Sequence, residues 1–150
     1  MSSRLSNSIK AEALRLGFFA CGIAKAGPVD HETASKVQRW IDQGDYAGMA
    51  YMSNYTDKRL DPRLLMPGLK SIICVALNYA PAQTLPENEY QLAAYALGQD
   101  YHDIVKEKLH RLAAAFNFEN YRAFCDSAPV LERYWAERAG LGWTGRNHQL

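Results

Sequence analysis

The run Ser71-Ile72-Ile73-Cys74-Val75-Ala76-Leu77-Asn78-Tyr79 constrains this chain more than any other stretch. It carries no charge and is rich in β-branched residues, so it reads as a strand. A strand apolar at every position, rather than at every second one, is expected to be central and covered on both faces. Phe18 to Ala24 reads as a second strand, and Tyr90–Leu97 and Tyr121–Cys125 as shorter ones. Helical periodicity appears between them. Leu5, Ile9, Ala13 and Leu16 share one face of a helix over 5–16 that Gly17 closes. Asp30 is placed to cap a helix bearing Val37, Trp40 and Ile41. Asp100 is placed to cap a long one bearing Tyr101, Val105, Leu109, Leu112 and Phe116. Pro129–Ala139 reads as a last helix, and Asp61-Pro62 as a cap before a short helical turn that Pro67-Gly68 ends. Alternating strands and helices predict an α/β fold, a mixed sheet flanked by helices.

At 150 residues, 48% hydrophobic and 22% charged, the chain has the composition of one globular domain. A net charge of +1 creates no global field toward nucleic acid. Only the local group Lys58, Arg59, Arg63 and Lys70 suggests an anionic partner, and a solvated surface explains it as well. Cys21, Cys74 and Cys125 stand far apart without a C-x-x-C pair, so no metal or iron–sulfur site is expected within the segment. An odd cysteine count with no signal peptide fits a reducing cytosol, with the thiols as small core hydrophobes. No apolar run nears the ~20 residues that span a bilayer. The expectation is a soluble cytoplasmic protein without a membrane partner. The ending Gly142-Trp143-Thr144-Gly145-Arg146 reads as a loop entering another element, as in a piece of a longer protein.

Asp126 follows an apolar run and precedes Ser127-Ala128-Pro129. Either it caps the next helix, or it is a partly buried acid at a pocket floor with its proton affinity raised. Ligands of α/β folds gather beyond the carboxyl ends of strands, which makes this a common position for a working side chain. Asp100 and Asp103 suit the start of a helix, and His102 is either a surface residue or a ligand contact there. Arg59 either binds an anion or pairs with Asp57 or Asp61. Arg133 lies near the start of its helix. Trp143, between Gly142 and Gly145, is either a packing anchor or a wall for a flat cofactor.

Four ordered blocks, Lys58 to Gly68, Gly98-Gln99-Asp100-Tyr101-His102-Asp103, Asp126 to Arg133 and Ala139-Gly140-Leu141-Gly142-Trp143, resemble the epoxyqueuosine reductases over nearly the whole chain. The resemblance implies a cobalamin-binding fold related to the reductive dehalogenases. It also implies reduction of an epoxide on the modified wobble base of transfer RNA, the last step of queuosine formation. Carried over, Asp126 matches the proton donor. Arg59 and Asp126 match cobalamin contacts, and Ala93 and Leu150 fall where the family touches the corrin. Asp100, Tyr101, His102 and Arg133 match positions lining the substrate pocket. Two [4Fe–4S] clusters, an external electron donor and a monomeric state are implied for the family. Residues 1–150 then form an N-terminal cobalamin-binding and catalytic domain, cut before the ferredoxin-like region and inactive alone. The rival reading is a non-catalytic corrinoid-binding or trafficking module.

Overall fold

A computed structural model of the chain describes residues 3–86, 88–147 and 149–150. In chain order the elements are α1 (Ser3–Arg15), β1 (Ala20–Lys25), α2 (His31–Asp42), α3 (Thr56–Leu60), β2 (Ser71–Ala76), α4 (Tyr101–Ala115) and α5 (Glu132–Arg138). Short 3-10 turns occur at Ala50–Ser53, Pro62–Leu64 and Ala94–Ala96. The residues group into two compact units, one running to Cys21 and resuming over Val75–Ser127, the other comprising Gly22–Cys74 and the residues from Ala128 onward.

The sheet is smaller than expected. β1 pairs with β2 in a two-stranded sheet. Phe19 N–H donates to the Ala76 carbonyl at 2.7 Å and Ala26 N–H to the Lys70 carbonyl at 3.0 Å, so the strands run antiparallel. All six β2 residues are half-buried, which corrects the expectation of a strand covered on both faces. The apolar run predicted the strand but carried no information about its partners. Tyr90–Leu97 is not a strand. Its amides bond locally, Ala96 N–H to the Ala93 carbonyl at 2.8 Å, which makes the turn Ala94–Ala96. Tyr121–Cys125 is irregular too, with its side chains engaged nearby: the Tyr121 hydroxyl lies 2.7 Å from His110 Nδ1 and Arg122 lies over the Phe124 ring.

In the first unit, Ile9, Ala13, Leu16, Phe18, Leu112 and Ala113 are buried, and α1 packs on α4. Gly17, at φ +88°, ends α1 with the paired bonds Gly17 N–H to Leu14 and Phe18 N–H to Ala13. That arrangement satisfies two otherwise orphaned carbonyls. The Lys108 ammonium, reaching across from α4, donates to a third, that of Leu16.

In the second unit, Ala24, Val29 and Trp135 are buried, with Leu60, Ile72, Cys74, Val130, Leu131 and Tyr134 against them. A Cβ at Gly22 would come within 2.3 Å of the Ala139 carbonyl oxygen, so β1 approaches the end of α5 only because glycine stands there. Asp30 caps α2 as expected, accepting from Thr33 N–H at 3.0 Å. The helix α5 is shorter than predicted. Its cap position is Leu131, with no side-chain cap bond.

Candidate functional site

The head of α4, in the first unit, gathers the polar residues that the sequence singled out there. Asp100 caps the helix, and its Oδ1 accepts from His102 N–H at 2.9 Å and lies 2.7 Å from His102 Nδ1. An ionised carboxylate only accepts, so Nδ1 carries the hydrogen of this bond. The amide and ring bonds from His102 hold the Asp100 carboxyl below the ordinary carboxylate range. His102 Nε2 points to Asp126, 3.7 Å from its Oδ2.

Tyr101 O–H donates to that same Oδ2 at 2.7 Å. The bond to Asp126, with desolvation and the carboxylate's charge adding to it, pushes the phenol up to about 12. The ring of Tyr101 stacks on His102 at 4.0 Å and meets the edge of Tyr95 at 6.2 Å. Tyr95, Ala96, Gly98, Gln99, Asp100, Tyr101 and His102 line an open pocket of about 200 Å³. Ala93 begins the turn that carries Tyr95 to this pocket and is itself exposed.

Asp126 does not cap α5. It lies in an irregular loop at φ +54°, before the helix begins at Glu132. Its side chain is 54% exposed, so the partly buried acid that the sequence suggested is instead an exposed one held by a phenol.

The second unit holds Arg59, Arg133 and Leu150. Arg59 stands in the last turn of α3, a helix missed in the sequence, and Nη2 donates to the Met52 carbonyl at 3.3 Å. Its Nε is buried without a partner. Asp61 is taken instead by Arg63 at 2.6 Å, and Lys58 lies over the Tyr55 ring, so two members of the cationic group are already engaged. Arg133 is exposed in the first turn of α5. The Leu150 side chain lies against the backbone of Gly142. Trp143 is 78% exposed and is no packing anchor.

The family described as epoxyqueuosine reductase QueG, DUF1730, matches residues 59–127. The epoxyqueuosine reductase of Cellulophaga algicola is 45% identical over 149 residues, covering 97% of this chain and 48% of the relative. The solved epoxyqueuosine reductase of Streptococcus thermophilus superposes with a TM-score of 0.82 at 26% identity, over 98% of this chain and 41% of that one. An epoxyqueuosine reductase solved with an epoxyqueuosine-modified tRNA-Tyr stem loop superposes with a TM-score of 0.78 at 26% identity, over the same shares.

The chain matches an N-terminal portion of the epoxyqueuosine reductases. It spans about half the length of the curated relatives it matches. The matched family segment contains Arg59, Ala93, Asp100, Tyr101, His102 and Asp126, whereas Arg133 and Leu150 lie beyond it. Tyr95 and Gln99 line the open pocket at the head of α4 without having been singled out. A partial signal lay in Gly98, next to Gln99 and three residues after Tyr95, where the chain turns at φ +98° ahead of α4. Among the described residues no three His, Cys, Asp or Glu side chains come together as a metal site, and no helix is long and apolar enough to cross a membrane.

Proposed function

We propose that the whole protein containing these residues reduces epoxyqueuosine in transfer RNA to queuosine, with Asp126 as the proton donor. The observation that carries this reading is the placement of Asp126. An acid in an exposed left-handed turn, with one oxygen engaged by Tyr101 beside an open aromatic pocket, suits a ligand-facing role better than that of a cap for α5. Converting an epoxide to an alkene consumes two electrons and two protons and releases water. Opening of the strained ring is eased when its oxygen is protonated as the carbon is attacked, and one placed acid is worth ~10²–10⁴-fold in such a step. Tyr95, Tyr101 and His102 offer ring faces and edges suited to a splayed-out base.

Cobalamin is the cofactor we propose, supplying when bound a strongly nucleophilic cobalt. In the second unit, Arg59 fits a contact to it. A buried guanidinium N–H without a partner costs about 1–3 kcal/mol, and an oxygen acceptor on a ligand would satisfy it. In the first unit, Ala93 offers main-chain contact and Asp126 its carboxylate. Leu150, Asp100, Tyr101, His102 and Arg133 keep the roles that the resemblance gives them. Two [4Fe–4S] clusters carried elsewhere in the whole protein, an external electron donor, a monomeric state and a cytoplasmic location complete the proposal.

The test uses the full natural protein with cobalamin, a strong reductant and transfer RNA bearing epoxyqueuosine, with nucleosides quantified by mass spectrometry. Queuosine appearing only when cobalamin is present is the expected result. Unchanged epoxyqueuosine with cobalamin demonstrably bound would contradict it.

A further inference from the structure

We propose that Tyr101 is a positioning residue for Asp126, its hydroxyl holding the acid's loop in the left-handed turn that presents the carboxylate at the head of α4. Residues 125–128 form neither helix nor strand. Asp126 at φ +54° occupies a region that aspartate tolerates better than most residues but does not prefer. An exposed turn of that kind needs something to hold it.

The geometry supplies a graded chain of supports. The helix α4 is seated on α1, and Lys108 ties it to the Leu16 carbonyl. Asp100, capping α4, grips His102 at both the backbone amide and Nδ1. The His102 ring stacks on Tyr101 at an interplanar angle of 27°, and Tyr95 meets the other ring edge-on at 89°. A phenol fixed on two sides is aimed, and its O–H ends 2.7 Å from Asp126 Oδ2. Because the carboxylate keeps the phenolic proton in place, Tyr101 orients the acid without competing with it as a donor.

The kinetic part of this inference rests on Asp126 being the proton donor; the structural part does not. Tyr101→Phe in the full natural protein keeps both ring contacts and deletes only the hydroxyl. Backbone hydrogen exchange over 124–128 is expected to speed up at least about tenfold, with α1 and α4 unchanged. In turnover kcat is expected to fall on the order of 10- to 100-fold, the usual worth of a hydrogen bond to a charged group, with KM within about twofold. As a second measurement, a ¹³C-labelled Tyr101 ring titrates at about 12 in the parent and close to the ordinary 10 in Asp126→Asn. Unchanged exchange over 124–128 would overturn the proposal, and so would a raised KM with unchanged kcat, which would make the hydroxyl a substrate contact. Faster exchange with kcat and KM both unmoved would uphold the positioning of the loop and remove Asp126 from the reaction.

Discussion

The approaches to α4 and α5 begin from similar sequence, an aspartate ahead of a helix, and end differently. Asp100 sits at the cap position of α4 and spends Oδ1 on the amide and ring of His102. Asp126 stands five residues ahead of the α5 cap position, in a left-handed turn, and gives Oδ2 to Tyr101 in a different helix. The first acid serves the fold locally. The second lies ahead of α5, whose cap position, Leu131, makes no side-chain cap bond. What α5 lacks in capping it makes up by burial, since Trp135 is 3% exposed and packs beside Ala24 and Val29.

That contrast can be broken at each end. The largest stability effect is expected at Trp135: Trp135→Ala should cost about 3–5 kcal/mol, because it is the buried anchor of α5. Urea unfolding checks this, and a loss below about 1 kcal/mol would mean that α5 is held by something else. A smaller effect is expected from Asp100→Asn, and it should depend on pH. The Asp100 carboxyl titrates below its ordinary value when folded. Its stabilisation is therefore present above the unfolded carboxylate value of about 3.9, and it is lost as pH falls through the lower folded value. The gap between parent and variant urea midpoints should be open at pH 6 and should narrow as pH falls below the unfolded value of about 3.9. A gap independent of pH would contradict the assignment. The smallest effect is expected at Ser127. Ser127→Ala should leave stability within about 0.5 kcal/mol of the parent, since Leu131 and not Ser127 holds the cap position of α5; a larger loss would restore a capping role to this loop.

The parts of the molecule legible in the sequence are those fixed by neighbours a few residues away. The caps at Asp30, Asp61 and Asp100, the glycine end of α1 and the strands β1 and β2 follow from local pattern. Sheet size did not follow, because an apolar run such as Ile72–Ala76 states a demand for burial without naming what meets it. The runs Tyr90–Leu97 and Tyr121–Cys125 have strand-like composition, and local turns and side-chain contacts took their place. The helix α3 was missed because five residues are too few to show a period. At the site, the motif around Asp100 placed its own neighbours, but the link from Tyr101 to Asp126 spans twenty-five positions. No local pattern carries such a link. Family resemblance grouped the two residues, and only the fold showed one holding the other.

On the proposed function Asp126, and not Asp100, is the acid that serves the chemistry. The most direct test is turnover of Asp126→Asn in the full natural protein, measured as queuosine formed in transfer RNA, alongside the absorbance spectrum of bound cobalamin and a urea midpoint. The account predicts activity down on the order of 10²- to 10⁴-fold with cobalamin still bound and the midpoint unmoved. Activity within a few-fold of the parent would contradict it.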